Sequence, residues 1–189
     1  MSPEETNRTL NKAIHFATDR HAGQLRKGSS TPYIRHPLEV LTILASLDAD
    51  PDLLIAGLLH DTVEDTDTTP EELLQEFGPE AARLVCCHSE DKRRSWKERK
   101  LTAIEETRQA DRRLKLLILA DKLSNIRSMV RDHRSQGESF WNRFNAPREE
   151  QRWYYGQIID ALAPLKDDPA AAPAYQELLY RYQQLFPEE

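Results

Sequence analysis

The sequence predicts an all-α fold, and three observations carry that prediction. Apolar residues recur at three- and four-residue spacing in most segments, as on one face of a helix. Proline and glycine stand where helices begin and stop rather than inside them. No segment shows the strict alternation of a half-buried strand. The elements follow in order. Thr6 to Arg20 carries Leu10, Ile14 and Ala17 at helical spacing, and "RKGSSTPYIRHP" then reads as a loop by its glycine, serines and two prolines. Pro37 opens a helix through Leu47 that "DADP" ends. Asp50 caps the next helix with Pro51 at its first position, and that helix runs through Leu53, Leu54 and Leu58 to His60. In "TTPEELLQEFG", Thr69 caps, Pro70 sits in the first turn, Glu72 is expected to complete a capping box, and Gly78 is the stop. A helix starts at Pro79 and runs toward Ser89, and "DKRRSWKERK" leads into another that carries Leu101 and Ile104. Asp111 to about Arg131 reads as a long buried helix, Pro147 opens one through Trp153, Ile158 and Leu162, and the last spans about Tyr175 to Leu185.

With 189 residues the chain suits one domain with a full core, so a single domain over 1–189 is expected. A net charge of −6 argues against a protein held on nucleic acid by phosphate contacts, although a local basic patch can still hold a small anion. The start, "MSPEETNRTLNKAIHF", lacks the basic-then-apolar order of a signal peptide, and no apolar run approaches the ~20 residues that cross a bilayer. The two cysteines, Cys86 and Cys87, are adjacent and make no disulfide framework. No nucleic acid, no membrane and a cytoplasmic location are therefore expected.

The stretch "LLIAGLLHDTVEDT" changes from aliphatic to polar at His60. Buried charge is costly without compensation, so His60, Asp61, Glu64 and Asp65 at the end of an apolar helix need a partner. On a continuous helix Glu64 shares a face with His60 and Asp61, and Asp65 with Asp61. His36 starts a helix after "TPYIRHP", and Asp121 lies inside the apolar run "LLILADKLSNIR". Two histidines and two aspartates suit Mn²⁺, Fe²⁺ or Zn²⁺ with positions left for water. Plainer readings stay open on the residues alone: Asp121 caps a helix break or pairs with a buried arginine, and "VEDTDTTPEE" is an acidic loop.

These residues in this order resemble a known pattern. His36, then "HD" at His60–Asp61, then Asp121, is similar to the H…HD…D signature of the HD-domain metal-dependent phosphohydrolases. "HAGQLRKG", "TPYIRHPLEV", "GLLHDTVEDTDTTPEEL", "SEDK" and "LADKLSNIRSM" narrow the resemblance to the alarmone hydrolase domain of stringent-response enzymes, over about residues 10–165. Residues from about 166 to 189 would be a C-terminal helical extension. The resemblance implies a compact helical HD fold in which His36, His60, Asp61 and Asp121 hold one Mn²⁺, with Zn²⁺ or Fe²⁺ as substitutes. It implies that Glu64 and Asp65 act beside the metal in hydrolysis. It also implies that Arg26, Lys27, Asn125, Lys122 and Tyr154 contact the nucleotide. The implied reaction removes the 3′-pyrophosphate of guanosine or adenosine alarmones, a small-molecule partner, giving the nucleoside di- or triphosphate and pyrophosphate. Two alternatives remain beside it: a nucleotide phosphatase acting on NADPH or a similar nucleotide, and a non-catalytic nucleotide-binding module. Homo-oligomerisation is left open.

Two features sit outside that pattern. Relatives usually place aliphatic residues before "T/S-x-D-K", where this chain has Cys86, Cys87 and His88 ahead of "SEDK", and these three invite a second metal site. Adjacent helical cysteines point about 100° apart and chelate poorly, so burial of both thiols is expected, with His88 unassigned. The basic cluster Lys92, Arg93, Arg94, Lys97, Arg99 and Lys100 reads either as an attractor for a phosphate tail or as a solvated face.

Overall fold

The computed structural model describes residues 2–187; residues 1, 188 and 189, which end the expected 1–189 domain, lie outside it. Among the described residues the chain is helical, with one isolated antiparallel bridge, Leu25 to Pro32, and no strand. It packs as two compact units, Met1–Lys92 and Arg93–Glu189.

The first unit holds α1 (Pro3–Arg20), α2 (Arg35–Ser46), α3 (Pro51–Leu59), α4 (Thr62–Asp65), α5 (Pro70–Phe77) and α6 (Pro79–His88). Helix α1 begins earlier than the apolar spacing predicts, because Ser2 and Glu5 form a reciprocal capping box. Helix α3 is its centre. Leu53, Ile55, Ala56, Gly57, Leu58 and Leu59 are all buried, so the helix is apolar all round and is wrapped by α1, α2 and α6. Gly57 is required by closeness: a Cβ there would lie 2.4 Å from Leu44 Cδ1 of α2. The expected capping box of α5 forms only by half. Thr69 accepts the Glu72 N–H at 3.2 Å, but the Glu72 carboxylate pairs with Arg20, which also holds Asp67 at 2.8 Å. A charged partner outcompetes a backbone amide for that carboxylate.

The second unit holds α7 (Trp96–Gln109), α8 (Arg112–Gln136), α9 (Arg148–Ala161) and α10 (Ala172–Leu185), with 3-10 helices at Gly137–Arg143 and Ala163–Asp167. Helix α8 is its axis and packs against α10, while α7 packs against α9. Arg127 of α8 makes a two-pronged pair with Glu177 of α10, at 3.0 and 2.5 Å. Buried Lys115 donates to the carbonyls of Arg108 and Ala110, at 3.1 and 2.7 Å, and so closes the end of α7. The C-terminal extension is integral to this unit, since Leu178 and Leu185 are fully buried. Among the described residues no helix is long and apolar enough to cross a membrane.

Candidate metal centre

In the first unit the chain does not run as one helix through the His60–Asp61 pair. Helix α3 stops at Leu59, His60 caps it, and Asp61 (φ −97°, ψ −4°) leads into the short α4. Two side chains take the carbonyls of the last turn: His60 Nδ1 approaches Gly57 O at 2.8 Å and Thr62 Oγ1 donates to Leu59 O at 2.7 Å. Side-chain bonds of this kind compete with the helical ladder. The carbonyl can only accept, so Nδ1 carries the proton and a neutral His60 presents the lone pair of Nε2.

That nitrogen meets the other donors. His60 Nε2 lies 3.1 Å from His36 Nε2 and 2.9 Å from Asp61 Oδ2, and His36 Nε2 lies 3.5 Å from the same oxygen. Ligand atoms bound to one cation at about 2.1 Å stand roughly 3.0 to 3.4 Å apart, depending on geometry. The three distances match that spacing, and both rings are buried, His60 fully and His36 to 3% exposure. Two imidazole nitrogens and a carboxylate are a donor set that fits a borderline divalent cation. His88, at the end of α6, adds a third ring: its centroid lies 5.3 Å from that of His60, and His60, Asp61 and His88 offer ligand atoms within 4.8 Å of one another.

Around this triad the acidic residues are differently held. The Tyr33 hydroxyl donates to Asp61 Oδ2 at 2.6 Å and lies 3.2 Å from Asp65 Oδ2. Burial, then the Asp61 charge and hydrogen bond and the Asp65 charge, push the Tyr33 phenol far above its ordinary range, so it stays a proton donor. Asp65 is further tied to Lys92 Nζ at 2.6 Å. Glu64 takes the Glu90 N–H at 3.4 Å, and Lys92 Nζ is 3.8 Å away. Burial, and then the charges of Asp61, Glu90 and Asp65, raise the Glu64 carboxyl above its usual range. Gln24 donates to Asp65 O at 2.9 Å, with His21 Nδ1 on its amide oxygen at 2.8 Å. Arg26 lies over the Tyr33 ring at 5.5 Å, and Lys27 sits exposed in the turn beside it.

The remaining expected residues lie in the second unit. Asp121, 3% exposed on α8, accepts from Lys122 Nζ at 2.8 Å and from Asn125 Nδ2 at 2.5 Å. The i to i+4 geometry that groups Asp121 with Asn125 is present, and Lys122 reaches the same carboxylate by curling its long side chain back. Burial opposes the Lys122 charge, but Asp121 and the phenols of Tyr154 and Tyr155 outweigh it and hold the ammonium well above its ordinary range. Tyr154 is a core residue, 4% exposed, with Lys122 and Lys100 against its ring at 5.6 and 4.8 Å. The basic cluster is therefore divided: Lys92 serves the acidic residues of the first unit, while Lys97 and Lys100 lie on the rings of Trp153 and Tyr154. The expected burial of both thiols does not hold: Cys86 is half-buried and Cys87 exposed, because α6 turns its Leu84 and Val85 face to the core.

The HD domain family profile matches residues 13–149, well over half of the chain. The chain belongs to the HD-domain family. Among curated proteins it is similar to the guanosine-3′,5′-bis(diphosphate) 3′-pyrophosphohydrolase MESH1 of Danio rerio. The two are 42% identical over 125 residues, 65% of this chain and 69% of that one. The solved structure of lmo0812 from Listeria monocytogenes EGD-e shares 36% identity at a TM-score of 0.75, over 81% of this chain and 99% of that chain. A metazoan ortholog of SpoT, described as hydrolyzing ppGpp with a role in starvation responses, shares 31% identity at a TM-score of 0.79, over 93% and 94%. Membership of the HD-domain family implies a divalent metal, and the triad of the first unit has the donors for one. Sequence reading gave no role to Tyr33, and it raised His88 only with Cys86 and Cys87 before leaving it unassigned. Tyr33 carried a usable signal, standing three residues before His36 in "TPYIRHP"; His88 showed only as a departure from the resemblance.

Proposed function

We propose that this chain is a divalent-metal-dependent hydrolase that removes the 3′-pyrophosphate of guanosine alarmones, releasing GDP or GTP and pyrophosphate. The observation that carries the reading is the convergence of His36 Nε2, His60 Nε2 and Asp61 Oδ2 at ligand spacing. Similarity to a 3′-pyrophosphohydrolase supports the choice of reaction. His36, His60 and Asp61 would hold the ion, Mn²⁺ by the resemblance, and Asp121 is assigned as the fourth ligand from its place in the H…HD…D pattern. A cation bound there supplies a Lewis acid that lowers the pKa of bound water and shields the phosphate charge from an incoming nucleophile.

The chain's own residues divide the rest of the work. Glu64 is assigned as the general base: its carboxyl is half-buried and raised, which brings proton affinity closer to neutral pH. Asp65 positions rather than accepts, because Tyr33 and Lys92 already occupy its oxygens. Tyr33 holds Asp61 and Asp65 in register with one hydroxyl. Arg26, over the Tyr33 ring, is placed to stack on a base, and exposed Lys27 offers a point charge to a phosphate. Asn125, Lys122 and Tyr154 are assigned to the nucleoside by resemblance.

The test is an assay of purified protein with Mn²⁺ against guanosine alarmone, adenosine alarmone and NADPH. Pyrophosphate released fastest from the guanosine compound is expected. Orthophosphate from NADPH alone would replace this reading with a phosphatase, and no release from any would replace it with a binding module.

A further inference from the structure

His88 is the member of the metal centre that no part of the assigned function uses. It ends α6, a helix anchored by buried Ala81, Ala82, Leu84 and Val85. The turn that follows is also held: Ser89 N–H donates to Cys86 O at 3.3 Å and Ser89 Oγ to Val85 O at 3.0 Å. The imidazole is therefore presented from a fixed helix end rather than a loose loop. Its ring sits 5.3 Å from that of His60 at an interplanar angle of 66°, an edge contact between the two imidazoles. Ligand atoms of His60, Asp61 and His88 lie within 4.8 Å of one another. Donors on opposite sides of one cation stand about 4.2 Å apart at bond lengths near 2.1 Å, so separations within 4.8 Å come close to those of a shared shell.

We propose that His88 is an additional protein ligand of the metal centre, which then carries three imidazoles, from His36, His60 and His88, beside Asp61. Each imidazole in place of water moves preference from hard, oxygen-seeking Mn²⁺ toward Zn²⁺ or Co²⁺ and closes one position to solvent. An aliphatic residue at position 88 leaves that position open. The inference rests on the metal-centre reading above.

The experiment uses the full chain, stripped with chelator and titrated with Co²⁺, whose visible spectrum reports coordination number and nitrogen donors, and with Mn²⁺ and Zn²⁺ by calorimetry. Wild type is compared with His88→Val, with His88→Gln as a second, polar replacement, and with Cys87→Ser as the neighbour control. Wild type is expected to bind one Co²⁺ per chain. Both His88 variants should keep one site, with Co²⁺ affinity lower by about 10- to 100-fold, a shifted absorption band and a reduced preference for Zn²⁺ over Mn²⁺. Cys87→Ser should match wild type. Superimposable spectra and affinities in wild type and both His88 variants overturn the proposal while leaving the centre intact. Two ions per wild-type chain, one lost with His88, overturn the shared-centre form. A wild type that takes up no metal overturns the centre itself.

Discussion

Asp61 and Asp121 are both aspartates set in apolar surroundings, yet their two regions solve the same electrostatic problem differently. Asp121 lies inside an unbroken 25-residue helix and is balanced by that helix's own Lys122 and Asn125. Asp61 lies at a helix break and faces the imidazole of its chain neighbour His60 together with an imidazole and a phenol, from His36 and Tyr33, brought from elsewhere in its unit. The first arrangement takes two of its partners from its own helix; the second is a set of lone pairs gathered about a point. A buried carboxylate beside an ammonium is a structural feature on its own, whereas two imidazole nitrogens at 3.1 Å beside a carboxylate make a ligand set. Burial of an acid in a helix therefore does not identify a metal site, but the partners it meets do.

The largest test of this contrast falls on the broken region. Glu64→Gln should lower pyrophosphate release by about 10²- to 10⁴-fold while metal uptake stays the same; undiminished turnover removes Glu64 as the base. Asp121→Asn decides whether the α8 carboxylate also serves the ion. Metal affinity lower by about 100-fold, with reduced thermal stability in chelator-free buffer, marks a ligand. Unchanged metal content would make Asp121 a structural partner of Lys122 and Asn125 rather than a ligand. Gly57→Ala pushes a methyl into Leu44 and should cost about 1–3 kcal/mol in denaturant unfolding. It should also weaken metal binding, since α2 carries His36 and α3 ends at His60; a loss of stability without a change in affinity would uncouple the two.

The smallest effect is expected at Glu177. Its two bonds from Arg127, against a lesser opposing effect of burial, hold its carboxyl below the usual range. A folded pKa below the unfolded value adds stability above the unfolded pKa, and that stability is lost as pH falls through the folded pKa. Glu177→Gln should thus cost about 1 kcal/mol at pH 7 and progressively less below about pH 4. A pH-independent difference would mean that the charge plays no part.

Much of this was legible because it is local. Asp50–Pro51 and Thr69–Pro70 mark helix starts by side-chain and ring chemistry that needs no tertiary partner. The Asp121–Asn125 pairing follows from helical pitch alone. What stayed hidden depends on distant partners. The break at His60–Asp61 has no proline or glycine to announce it; it comes from His60 and Thr62 taking main-chain carbonyls in three dimensions. Glu72 left its capping box for Arg20, 52 residues away. His88 gains meaning only because α6 packs against α3, which carries His60 at its end. The family pattern proposes the metal ligands but not which acid is the base; the proposal of Glu64 rests on its partial burial and on Lys92 lying closer to Asp65, at 2.6 Å, than to Glu64, at 3.8 Å.

The hydrogen bond from His60 to the carbonyl of residue 57 has one more consequence. The tautomer of the central imidazole is dictated by a main-chain carbonyl, so that instruction rests on the course of the backbone, including the close approach of α2 at Gly57, and on no side chain. Evolution can retune the pocket around this ring, changing which nucleotide is taken or which ion is favoured, while the face offered to the cation is inherited with the path of the backbone.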